Sequence, residues 1–433
     1  MFAVPPLVAE KLLLSGYIIL FMWAIWYFVE AMNKKWAFLS VVGFLFIYNR
    51  FLHIGFYNFL YSVALYFIIL GYWWKYKEVL NIKRVVILNL LLILTYFCNL
   101  MSVILAIISI WFLTLLSLRP GMVKQRLLIF LYLAPSFILP VYYIELTKGV
   151  GMGPWTKGTI GMLKSLIYFH SLVCFDPAQL WIGKILLCIL CILVGYKLIL
   201  QIIKKENILT WITSPCLLLF LFIVFIYFII PHYAFEGGYF KIRIALYPFL
   251  ILLPWISEIY DELRGRLGSM LRILIGIIII GLIPINLGLI SHYYRELNVD
   301  ISEYTSGISV IERQKTILPL ALNYGGNIYG ILFFLHPIGY YATSTGGIDL
   351  GNYEARKGLF PIKFKPNLHR PSIDTIEVYP HEMDIERYAN IIDYIVTWGL
   401  DLNTSIANRI NQYYGMVFEN NRLKIFARRV NEK

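Results

Sequence analysis

From Leu7 to Tyr294 the chain passes from one apolar run to the next almost without interruption, and at Arg295 that pattern stops. About twenty apolar residues make a helix long enough to cross a hydrocarbon layer of about 30 Å. Backbone in lipid must satisfy its own hydrogen bonds, so repeated runs of this kind mean helices and exclude a soluble fold for that part. The pattern predicts a polytopic α-helical membrane bundle, residues 1–294, followed by an extracytoplasmic α/β domain, residues 295–433. The second part has the charge density and turn residues of a water-exposed fold.

Composition agrees with the split. Hydrophobic residues make up 59% and charged residues 15%, against roughly half and a quarter in soluble domains. The net charge of +13 is unevenly placed: residues 295–433 hold 15 basic and 15 acidic side chains, leaving 23 and 10 before them. A basic membrane part with a neutral appended domain points to anionic lipid headgroups and orientation signals, not to nucleic acid. Cys98, Cys188, Cys191 and Cys216 lie in apolar runs and Cys174 in a loop. Cys188 and Cys191 form a lone CxxC on one helix face, whereas a structural zinc needs four ligands. No metal ligand set and no resident cofactor follow, although a divalent metal remains compatible with the chemistry below.

Ten apolar segments are expected: 7–31, 36–51, 54–74, 85–99, 101–118, 127–144, 182–203, 211–230, 242–259 and 271–294. The stretch 85–118 is too long for one span, and Asn99, with Ser102 nearby, is its expected break. Lys34 and Lys35; Lys75, Lys77, Lys83 and Arg84; Arg119, Lys124 and Arg126; Lys204 and Lys205; and Arg264, Arg266 and Arg272 fall in alternate connections. The positive-inside rule puts those loops in the cytoplasm. The opposite face then receives both termini, the Arg50–His53 turn, the Asn99 turn, the loop 145–181, the loop 231–241 and the domain from Arg295 onward. The protein is expected in the cytoplasmic (inner) membrane as a multi-pass protein.

In the outer domain, 316–322, 328–335, 393–398, 415–418 and 423–427 read as strands. Residues 384–392 have helical spacing, and Asn403 or Thr404 can cap a helix running to Tyr413. Asn420–Asn421 is a tight-turn pair, and Gly325–Gly326 and Gly346–Gly347 read as turns. Gly399 closes the strand before it.

Polar groups at the outer membrane boundary are the functional candidates, because ionisable residues near membrane depth are costly. Arg50, His53 and Asn58 occupy one turn; Asn99 occupies another; His232, Glu236, Lys241 and Arg243 cluster where one span ends and the next begins. Arg243 can hold a lipid phosphate through a forked, charge-assisted contact; the alternative is an interfacial anchor. Glu236, Asp176 and Glu10 are the carboxylates placed to act as general base. Each has a bland counterpart as a solvated or structural group.

Several strings carry a resemblance: Pro5-Pro6-Leu7-Val8-Ala9-Glu10-Lys11, His53-Ile54-Gly55-Phe56-Tyr57-Asn58-Phe59, Asp393-Tyr394-Ile395-Val396-Thr397-Trp398-Gly399 and the stretch 423–429. With many spans, a long outer loop and a terminal α/β domain on the same side, the chain resembles uncharacterised bacterial members of the GT-C superfamily of membrane glycosyltransferases. The resemblance implies transfer of a sugar from a polyprenyl-phosphate carrier to an acceptor glycan, lipid or protein. In that superfamily a first outer loop, after a span that starts in the cytoplasm, carries the catalytic carboxylate. Here no Asp precedes Asp176, and an outer N-terminus is what a chain without that helix and loop would have. Two other classes compete: a transporter of a lipid-linked substrate, and a non-catalytic membrane scaffold. Against the transporter stand the lack of a repeat between halves and of a Gly/Pro-broken pair of spans, and the small number of charges mid-span.

Overall fold

Prolines and one asparagine decide how the apolar runs fold. The computed structural model describes residues 4–118, 123–147, 158–205, 211–232, 238–323, 331–356, 362–365 and 369–429. The chain divides into two compact units, Met1–Gly288 and Leu289–Lys433, the first helical and the second built on a small sheet.

Among the described residues of the chain, four helical stretches are long and apolar enough to cross a membrane: Pro6–Met32, Pro177–Lys204, Phe240–Glu262 and Gly265–Val310. The other apolar runs are shorter or less apolar helices. Tyr57–Tyr76 is buried along most of its length and lies tightly against Pro6–Met32. A Cβ at Gly71 would sit 2.9 Å from the Tyr27 ring and 3.2 Å from the Phe28 backbone, so only glycine permits this approach.

The long run breaks where expected. Ile82–Cys98 and Leu100–Leu116 meet at Asn99, whose extended backbone (φ −164°, ψ 124°) cannot continue a helix. Its Oδ1 accepts from Ser102 N at 3.3 Å, an N-cap bond that satisfies one orphan donor.

Two runs expected as uniform spans are helical in several pieces, the second of them still forming the span-length stretch Phe240–Glu262. Residues 127–144 divide into Val123–Tyr132, a 3-10 turn Ala134–Phe137 and Ile138–Leu146. Residues 242–259 divide into Phe240–Ile244, Tyr247–Ile251 and Leu253–Glu262, with Pro248 and Pro254 each at the start of a piece. Each proline lies in the first turn of its piece, where its missing N–H costs no bond within the piece but removes a donor to the turn before it. Run 36–51 is mostly a 3-10 helix, Lys34–Gly43, followed by the four-residue Phe44–Ile47.

Lys197, 5% exposed, donates its ammonium to both carboxylate oxygens of Glu262. Lys35 pairs with Asp261, and Asn33 Nδ2 donates to Ser257 Oγ at 2.9 Å. These contacts tie the Leu253–Glu262 helix to its neighbours.

The last helix does not stop at the hydropathy boundary. Gly265–Thr305 runs for 41 residues with Pro284 inside it, about 60 Å at 1.5 Å per residue. The second unit's sheet has the order β2-β1-β3-β5-β4, with β1 Thr316–Ala321, β2 Ile348–Asp349, β3 Tyr394–Trp398, β4 Tyr414–Asn420 and β5 Leu423–Arg428. β1 is parallel to β2 and β3, and β5 is antiparallel to β3 and β4.

Alternation along the strands sends Leu318, Leu320, Ile395 and Phe426 to one apolar cluster with Ile406 and Ile410. Ile317, Val396, Trp398 and Ile425 go to another with Tyr304, Phe334 and Tyr341. A strand expected at 328–335 is not formed by its described part: residues 331–335 are irregular. Phe334 instead stacks on Trp398 at 4.3 Å, so the apolar character of this segment serves the face of the sheet. Residues 325–326 lie outside the described residues, and Gly346 is the expected turn, at φ +66°.

Candidate functional site

Arg243 lies in the five-residue helix Phe240–Ile244, entered through Tyr239 in left-handed conformation (φ 61°). The side chain is 7% exposed. Its guanidinium carbon lies 4.7 Å from the Phe56 ring centroid and 5.3 Å from that of Phe59. Nε is buried and has no hydrogen-bond partner among the described residues. A buried cation without a counter-charge is destabilising by several kcal/mol, of order 3–5 when a partner is removed. Aromatic faces recover only about 1–2 kcal/mol of this.

Lys241, two residues earlier, is 4% exposed. Its Nζ donates to Tyr227 O at 3.2 Å and Phe228 O at 2.8 Å, carbonyls in the last turn of the Pro215–Ile229 helix. A cation there complements the helix end. His232 accepts at its backbone carbonyl from Phe240 N, 3.0 Å away, and its ring lies 5.6 Å from that of Tyr239. Burial, then the neighbouring Lys241 charge, hold its imidazole below the ordinary histidine value. Tyr239 in turn meets Phe56 at 6.1 Å.

The Asn99 turn joins the same neighbourhood through hydroxyls. Ser102 Oγ lies 2.7 Å from Tyr247 Oη and 2.6 Å from Ser62 Oγ, and all three residues are fully buried. The Tyr247 ring meets Tyr66 edge-on at 4.8 Å and Phe59 at 6.4 Å.

Arg50 opens the short helix Arg50–His53, capped by buried Asn49 through Phe51 N at 2.9 Å. His53 Nδ1 sits 2.8 Å from Asn49 O, and the ring is edge-on to Phe175 at 4.6 Å. Burial pushes this imidazole down to about 4, so it is neutral at physiological pH. Asn58 is exposed, and its Oδ1 accepts from Phe59 N at 2.8 Å.

Of the three carboxylates, Glu10 is exposed and accepts from Tyr57 Oη at 3.1 Å. Asp176 caps the 3-10 turn Pro177–Gln179, accepting from Ala178 N at 2.6 Å. Gln179 Oε1 accepts from Cys174 N and Phe175 N at 2.8 and 3.0 Å, while its Nε2 donates to Asn286 at 3.2 Å. Glu236 lies in 233–237, outside the described residues.

Among the described residues no three His, Cys, Asp or Glu side chains group as a metal site. An apolar cavity of about 30 Å³, lined by Leu39, Leu186, Phe249, Leu253, Tyr260 and Ile279 among others, includes none of the candidate residues. The residues that sequence reading missed are Phe56, Phe59, Ser62, Ser102 in its bonded role, and Tyr247. Only Phe56 and Phe59 had a local signal, in the aromatic spacing of the string 53–59; the hydroxyl contacts span 40 and 145 residues of sequence. No family model, curated protein or solved structure matches the chain.

Proposed function

We propose that the chain is an integral membrane glycosyltransferase-like protein of the GT-C kind. It lies in the cytoplasmic membrane with ten segments and both ends of the chain on the outer face. It transfers a sugar from a polyprenyl-phosphate carrier to an acceptor glycan, lipid or protein there. The observation that carries this reading is Arg243: a buried guanidinium between two phenyl rings, with Nε unpartnered among the described residues.

A phosphate monoester or diester accepts paired bonds from such a fork. The aromatic rings beside it suit an isoprenoid neighbour better than bulk water does. In an inverting transfer the bond between the anomeric carbon and the phosphate oxygen breaks as the acceptor oxygen attacks. A carboxylate takes the acceptor proton, and Arg243 stabilises the charge growing on the departing lipid phosphate. Glu236 is the candidate carboxylate closest to Arg243 in the chain; Glu10 and Asp176 are the others.

The test is binding of a polyprenyl phosphate to the purified full chain in detergent. Arg243→Lys keeps the charge but loses the fork and should weaken binding more than Lys241→Arg does. The reverse order, or equal affinities, sinks the assignment and leaves Arg243 as an interfacial anchor.

One observation favours a second reading, a transporter of a lipid-linked substrate: segments 127–144 and 242–259 both carry prolines at turns between helical pieces, and proline-interrupted helices often mark transporter binding sites. Flipping of a fluorescent lipid-linked sugar in proteoliposomes, with no sugar transfer, would favour it.

A further inference from the structure

We infer that Lys241 and Tyr247 are positioning residues that hold the Arg243 guanidinium in place for an anion. The inference rests on the phosphate reading above and adds to it the means by which the site is pre-formed.

A helix of five residues has few internal bonds, and Phe240–Ile244 continues only through the tightened turn Ala245–Leu246, whose N–H groups donate to Lys241 O at 3.1 Å and Arg243 O at 3.2 Å, before Pro248 removes a donor. The backbone bonds of Arg243, its N–H to Tyr239 O at 2.9 Å and its carbonyl from Leu246 N at 3.2 Å, hold the main chain and leave the side chain to be placed from outside. Two contacts outside the piece place it. Two residues before Arg243, the Lys241 ammonium is bonded to the carbonyls of Tyr227 and Phe228. Four residues after it, Tyr247 Oη is bonded to Ser102 Oγ, which is bonded to Ser62 Oγ. Ser62 lies on the Tyr57–Tyr76 helix and Ser102 on Leu100–Leu116. The Tyr247 ring also touches Phe59, one of the two rings beside the guanidinium.

The broken segment is thus pinned on both sides of Arg243 to three other helices, all within the first unit. A long side chain free to rotate gives up about 2 kcal/mol of conformational freedom on binding. Pinning moves that loss from the binding step to folding and makes the anion contact tighter.

The test uses the full chain in detergent with farnesyl phosphate as the probe, titrated calorimetrically, and thermal unfolding as a check on folding. Tyr247→Phe and Ser102→Ala remove the same link from opposite ends. Each should weaken binding about tenfold, and Ser102→Thr, which keeps the hydroxyl, should restore most of it. Lys241→Met should act likewise. In an Arg243→Gln background Tyr247→Phe should cause no further loss, because there is no guanidinium left to position. If Tyr247→Phe and Ser102→Ala bind as the unaltered chain does while Arg243→Gln abolishes binding, the positioning role is wrong and the phosphate site stands. An undiminished loss in the Arg243→Gln background also overturns it, since that marks a general loosening. No binding by the unaltered chain would overturn the phosphate reading itself.

Discussion

The Arg422 guanidinium lies 4.5 Å from the centroid of the Trp398 ring, with its fork turned to Asp300 and Glu303. The Arg422 backbone N–H also donates to Glu303 at 2.7 Å, so one residue fastens the β4–β5 turn to the end of the long helix within the second unit.

Arg422→Ala removes a stacked cation and leaves two carboxylates facing each other. The expected cost is about 1–3 kcal/mol, with Arg422→Lys losing less because it keeps the charge without the fork. Hydrogen exchange of the β3 and β5 amides in the full chain reads this directly. Unchanged protection in Arg422→Ala would show the cluster to be ornamental.

Lys197 and Glu262 form a partly buried pair in which the cation is the more deeply enclosed member. Lys197→Met strands Glu262 beside Glu258 and should destabilise the bundle on the order of 3 kcal/mol. The double change Lys197→Met with Glu262→Leu should recover most of that, since packing replaces charge. Detergent unfolding of the three variants decides it, and a double variant as weak as the single one would contradict the idea.

Asp349 predicts how the sheet edge responds to pH. Burial pushes its carboxyl up to about 6, against the opposing effect of the Gly351 N–H it accepts, 2.8 Å away. The unfolded chain releases this proton near pH 4. Between about pH 4 and 6 the folded state therefore binds more protons, and this group's contribution to stability falls as pH rises. Asp349→Asn should remove that slope and be the more stable form at pH 7, by roughly 2–3 kcal/mol. Exchange rates at β1 and β2 amides measured from pH 4 to 7 would show it, and parallel profiles for the two proteins would refute it.

The proposed orientation has its own test. Single cysteines placed at Lys77 and at the exposed Ser344, in a background without the native thiols, should react with an impermeant maleimide from opposite faces of the membrane. Labelling from the same face would reverse or break the charge-derived topology.

How much of this was legible in the sequence differs by element. Asn99 could be read because the capping residue and the excess length of the run 85–118 point to the same break. The breaks at Pro135, Pro248 and Pro254 were equally visible as residues, but counting hydropathy over a window averages them away. The continuation of the last helix to Thr305 was hidden for the opposite reason: the composition turns polar while helical hydrogen bonding carries on regardless. β2, two residues long, is held by its pairing with β1 and has no local pattern to find. Arg243 was legible as a cation at a boundary. Its rings and the Ser62–Ser102–Tyr247 hydroxyls belong to distant parts of the chain and meet only in the folded state. Lys241 looked like a twin of Arg243, and its use on two helix carbonyls shows only in the folded chain.

β5 is made after both β3 and β4, yet it lies between them. As the polypeptide is produced, Tyr394–Trp398 emerges with every residue destined for burial and with the edge that β5 will occupy still open. β4 has no described partner other than β5 and must wait as well. An apolar strand with an open edge invites pairing with the wrong chain, so the half-made sheet passes through a vulnerable interval that ends only when Leu423–Arg428 arrives. Slower delivery of those six residues would lengthen the interval without changing the finished structure.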